Sequence, residues 1–157
     1  MPNRAVAVCL VVSALLALAA MLAVGSVLMR PIGKPSCPSH LKQVCLAEIM
    51  YCGDYDGRFP PHQDWSSVLE PYLKDRWIYV CPQAPRVPIG YAYRGSLEFR
   101  PVKSVGPADK TIVFWDRQPE TELPAFRHGE GLWAGYVDGH VKWLKEEAFF
   151  WARPRGQ

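Results

Sequence analysis

Residues 127–144 read RHGEGLWAGYVDGHVKWL, and the reading of 132–144 decides the fold. Asp138-Gly139 is the preferred pair for a two-residue type I′ turn, whose two central positions both need positive φ. On either side of it, side chains alternate with the period of two that belongs to strands. A turn of this type pairs Val137 with His140, Tyr136 with Val141 and Ala134 with Trp143. Leu132, Tyr136, Val141 and Trp143 then share one face, while Trp133, His140 and Lys142 share the other. The segment is therefore predicted to be an antiparallel hairpin.

Outward from the hairpin, residues 111–115 (TIVFW) predict a buried strand with Asp116 at its exit. Trp77-Ile78-Tyr79-Val80 reads as another strand, ended by Cys81-Pro82. Between them, residues 83–110 hold Pro85, Pro88, Gly90, Gly95, Pro101 and Pro107, and predict loops with brief extended pieces. Residues 65–73 suit a short helix with Trp65, Val68, Leu69 and Tyr72 on one side. Ser39 is placed to cap a longer helix over 40–52, in which Leu41, Cys45, Ile49 and Cys52 form the apolar stripe. A brief helix over 146–151 follows the hairpin, and 147–157 make the tail. The fold class is α+β, one main helix packed on a small antiparallel sheet, with the globular domain at 39–146.

At the other end, residues 5–29 carry no charge and no proline. A helix of that length, rising about 1.5 Å per residue, is long enough for a hydrocarbon core of roughly 30 Å. The expectation is an N-terminal transmembrane helix within 1–30, a single-pass anchor to the inner membrane. Pro31, Gly33, Pro35 and Pro38 then make a stiff linker over 31–38. A cleaved signal is the alternative, with exits at Ala17-Leu18-Ala19 or Ala23-Val24-Gly25. The chain has 18 Lys+Arg against 15 Asp+Glu, and Arg4 and Arg30 at the flanks of the apolar run account for most of that excess. The remaining domain is nearly neutral, which argues against a nucleic-acid partner.

Among the five cysteines, Cys9 sits in the apolar run. Cys45 and Cys52 lie about 10.5 Å apart along a helix, too far to bridge, and are read as core. Cys37 and Cys81 each precede a proline at a segment boundary, where loops can meet. They are expected to form a disulfide, with two unpaired thiols as the alternative. No CxxC pair or His-x3–5-His spacing signals a zinc finger. Asp54-Tyr55-Asp56-Gly57 resembles a calcium loop, but Trp65 stands where an EF-hand needs its last glutamate. His128, Asp138 and His140, with Asp116, are the side chains whose types suit zinc, calcium or acid–base work. A structural role is preferred for them, since Asp138 is explained as a turn residue. No phosphate loop, nucleophile elbow or paired carboxylates appear. No enzymatic activity and no cofactor are expected.

Two blocks resemble bacterial pseudopilin-like proteins. Residues 36–61, SCPSHLKQVCLAEIMYCGDYDGRFPP, resemble the start of their soluble domain. Residues 127–144 resemble their prepilin-associated C-terminal motif, a histidine, nine residues, then Asp-Gly: here His128 and Asp138-Gly139, with His140 following. The resemblance implies an N-terminal membrane helix and a pilin-like domain in the periplasm or outside the cell. It further implies kinship with type II secretion and type IV pilus components, with other pseudopilins or secretion-system proteins as partners. Lysine and arginine counting around the apolar run favours the opposite orientation. The chain departs from the pattern at its start, where the first glycine is Gly25 and the first acid is Glu48. The alternative is a tethered periplasmic ligand-binding or metal-dependent domain that uses the same fold without forming filaments.

Overall fold

The computed structural model describes residues 3, 10, 12–21 and 36–152. The chain divides into two units, Met1–Lys34 and Pro35–Gln157. In the first, 12–21 are helical, and at about 1.5 Å per residue they account for only about half of a bilayer core of roughly 30 Å. Among the described residues no helix is long and apolar enough to cross a membrane. This corrects the expected transmembrane, single-pass anchor; residues 5–9, 11 and 22–29 of the run lie outside the described residues, as do 31–35 of the linker and the end of the tail.

The second unit is α+β. Its main helix α1 spans Cys37–Asp54, starting earlier than Ser39 because Pro38 is tolerated in the first turn and Ser36 takes the cap position. The Ser36 backbone N–H donates to Ser39 Oγ at 3.0 Å, satisfying a donor at the helix start. Then come α2 (Trp65–Leu69), extended by a 3-10 turn at Glu70–Tyr72, and a second 3-10 turn at Arg76–Tyr79. The latter replaces the strand expected at 77–80. Asp75 caps it by accepting the Trp77 N–H at 3.0 Å, a local bond that outcompetes the strand preference of the aromatic and β-branched residues.

Four strands, β1 (Tyr91–Tyr93), β2 (Ile112–Asp116), β3 (Gly131–Tyr136) and β4 (Val141–Lys145), form an antiparallel sheet in sequence order. A final helix α3 covers Glu146–Ala152. One sheet face meets α1: Leu41, Val44 and Cys45 of the helix share a buried core with Tyr91, Tyr93 and Phe114. Gly135 makes that approach possible, because a Cβ there would collide with Cys45 Sγ and stand 3.6 Å from Leu41 Cγ. On the opposite face Ala92, Ile112, Trp115, Leu132, Tyr136 and Leu144 pack with Phe149 of α3. With both faces covered, every residue of β2 is buried.

The hairpin is present, but its register is shifted by one residue. Trp133 pairs with Trp143, Ala134 with Lys142 and Gly135 with Val141. The Tyr136 N–H donates to the His140 carbonyl at 3.0 Å, and the Gly139 N–H to the Tyr136 carbonyl at 2.8 Å. Only Gly139, at φ +83°, takes positive φ in the turn. This is a three-residue loop, a type I turn closed by a left-handed glycine, rather than type I′. Because strands have period two, the slip moves Val141 and Trp143 to the face of Trp133, opposite Leu132 and Tyr136.

Gly139→Val is expected to lower stability by about 1–3 kcal/mol, since a β-branched residue is strained at that φ. A Cβ at this position would also come within 2.9 Å of Ile49 Cδ1 on α1. Urea denaturation of the variant measures the loss, and an unchanged midpoint would contradict the turn assignment.

Candidate functional site

The first turn of α1 brings Cys37 to the segment that follows the second 3-10 turn. There His40 Nδ1 lies 2.9 Å from the Val80 carbonyl, and Tyr91 Oη donates to the Cys37 carbonyl at 3.2 Å. These ties place the Cys37 and Cys81 sulfurs 2.8 Å apart, both as buried thiols. The pair expected to form a disulfide is thus juxtaposed. Burial foremost, then the Cys37 hydrogen bond and the Asp116 charge, push the Cys81 thiol well above its ordinary range.

His128 joins the thiols from the approach to β3. Its Nε2 lies 3.5 Å from Cys81 Sγ and 3.2 Å from Asp116 Oδ2. The ring is fixed by its own backbone, whose N–H donates to the Gly131 carbonyl at 2.9 Å and whose carbonyl accepts Trp143 Nε1–H at 2.7 Å. Asp116 ends β2 and is fully buried. Its Oδ2 also accepts the Trp133 N–H at 2.7 Å, and its Oδ1 has no hydrogen-bond partner among the described residues. The donor atoms of Cys37, Cys81 and His128 all lie within 4.8 Å of one another.

Asp138 and His140, the other two metal candidates, are not in this cluster. They sit at the hairpin tip, where the His140 backbone N–H donates to Asp138 Oδ1 at 3.0 Å and His140 Nδ1 lies 2.6 Å from the same oxygen. Partial burial works against the Asp138 charge, and the bonds from the His140 backbone and ring outweigh it, holding the carboxyl below its usual range. The His140 ring stacks on Tyr136 at a centroid distance of 4.1 Å, and Lys42 Nζ on α1 donates to the Gly139 carbonyl. This tip docks the hairpin on the helix.

The motif therefore divides. Asp138, Gly139 and His140 shape and dock a turn, whereas His128 and Asp116 meet two cysteines in the interior. Sequence reasoning linked Cys37 to Cys81 and His128 to Asp116 but did not unite the pairs. Comparison of the chain with known protein families, with characterised proteins and with solved structures gives no match.

Proposed function

We propose that this chain is a non-enzymatic, pseudopilin-like protein of the bacterial envelope, related to type II secretion and type IV pilus components. Its domain is placed in the periplasm or outside the cell, where it contacts other subunits of the same kind. The observation that carries this reading is the use of the His-x9-Asp-Gly motif. His128 anchors the entry to the β3–β4 hairpin, and Asp138-Gly139 docks the hairpin tip on α1, so the motif builds a helix-on-sheet module rather than a reaction centre. The outward face of α1 keeps Leu46, Ile49 and Met50 exposed, a row spaced for contact with a neighbouring subunit.

A photoreactive amino acid placed at Met50 of the full chain, in the producing bacterium, tests the reading. A cross-linked adduct containing a second copy or another pilin-like chain, identified by mass spectrometry, is expected. The same probe at Lys110, away from α1, should give none. Failure to form such an adduct at Met50 would overturn the assembly role.

A further inference from the structure

We propose that Cys37, Cys81 and His128 form a buried zinc site when the two cysteines are reduced, with the Asp116 carboxylate standing against the His128 ring. The inference goes beyond the envelope reading and does not depend on it. Four side chains from four separate parts of the chain converge here: the first turn of α1, the segment before β1, the end of β2 and the loop before β3. Cys37, Cys81 and His128 supply two sulfurs and one imidazole nitrogen within 4.8 Å of one another, a donor set that suits zinc.

The distances among Cys37, Cys81 and His128 support one ion. With Zn–N of about 2.0–2.1 Å and Zn–S of about 2.3 Å, a tetrahedral S···N edge is about 3.6 Å. The structure has 3.5 Å from His128 Nε2 to Cys81 Sγ, while Asp116 Oδ2 stands 3.2 Å from the same nitrogen. The sulfurs, at 2.8 Å, must part to about 3.8 Å to take two corners of the same tetrahedron.

A second observation points to a cation. Asp116 is fully buried, and among the described residues its Oδ1 has no hydrogen-bond partner, an arrangement that costs free energy unless a positive charge compensates. His128 Nε2 faces both the carboxylate and the Cys81 thiol, so the ring presents a nitrogen donor to the cluster. The surroundings are closed by Tyr91, Trp133 and Trp143, through contacts to Cys37, His128 and the His128 carbonyl respectively. Such a shell excludes water and fixes ligand orientation. The three ligands come from the first turn of α1, the segment before β1 and the loop before β3, so the role of the ion is to hold the first turn of α1 to the sheet.

The test uses full-length protein, fully reduced, freed of metal by a chelator and titrated with Co2+ without oxygen. One cobalt per chain is expected, with thiolate-to-cobalt charge-transfer absorption and the strong visible bands of tetrahedral cobalt. One equivalent of zinc should bleach both, and zinc should raise the thermal midpoint of the reduced protein. Cys81→Ser and His128→Gln should each weaken binding at least about 100-fold. Cys45→Ala, which alters a buried thiol outside the cluster, should leave it unchanged. Weak octahedral spectra without charge transfer in the reduced native protein would overturn the proposal, whether or not the variants fold. Equal affinity in native protein and a folded Cys81→Ser variant would overturn it too. Protein isolated as a disulfide that binds cobalt tightly after reduction supports it.

Discussion

Phe114→Ala is expected to destabilise the protein by about 3–5 kcal/mol and to lower the thermal midpoint by roughly 10–20 °C. Phe114 is fully buried at the centre of β2, where its ring meets Trp65 of α2 at 5.1 Å and Tyr93 of β1 at 5.4 Å between centroids. Together with the Trp65–Tyr93 contact at 6.1 Å, it joins the short helix to the sheet. Truncation removes apolar area from the core and leaves a void, and the cost of the void depends on whether its walls can close. They are poorly placed to do so. Tyr93 is held by its hydroxyl, which donates to the Pro60 carbonyl at 3.1 Å, and Trp65 is held edge-on against Tyr79 at 5.5 Å. The result therefore belongs in the upper part of the large-to-small range. Leu123→Ala, at a residue 58 % exposed, is the control and should change stability by no more than about 0.5 kcal/mol. A Phe114→Ala loss as small as that of the control would mean that the two sides of this core are not coupled.

The strand at β2 and the hairpin were legible because apolar runs and a Asp-Gly turn are local signals. The hairpin's register was not, since type I′ and the three-residue loop both require a positive-φ glycine and differ in whether Val137 belongs to the strand or the loop and in the φ of Asp138. Glu48 was hidden for a different reason. Periodicity assigned Ile49 to the buried stripe, yet Ile49 is exposed and Glu48 is enclosed, because α1 rolls onto the sheet at the gap left by Gly135. The His128 cluster was illegible as a whole. In sequence His128 is spaced against Asp138, but β3 separates them by its six residues, about 20 Å of extended chain. Antiparallel pairing of Trp115 with Ala134 instead returns the end of β2, and with it Asp116, to the start of β3 beside His128. That proximity is a property of sheet order, which no local motif encodes.

Glu48 gives the second large effect, a loss of stability as pH rises from about 4.5 to about 7. The carboxyl is 1 % exposed, Cys52 Sγ donates to its Oε1 at 3.1 Å, and its Oε2 has no partner. Burial dominates and raises its pKa from 4.5 to about 7, while the Cys52 bond works weakly in the other direction. The sign follows from proton counting. Between those two pH values the folded protein retains a proton that the unfolded chain has released, so raising the pH favours unfolding. The contribution is fully present below about pH 4.5 and gone above about pH 7, and a shift of this size corresponds to about 3 kcal/mol. Glu48→Met has similar length and buries neither a charge nor an unpaired amide. It is expected to leave stability nearly unchanged at pH 4 and to raise it by about 2–3 kcal/mol at pH 8. Urea denaturation of native and variant protein at the two pH values measures the difference directly, and groups that titrate elsewhere cancel between them. A variant whose advantage is the same at pH 4 and pH 8 would show that Glu48 ionises as readily in the folded protein as in the unfolded chain.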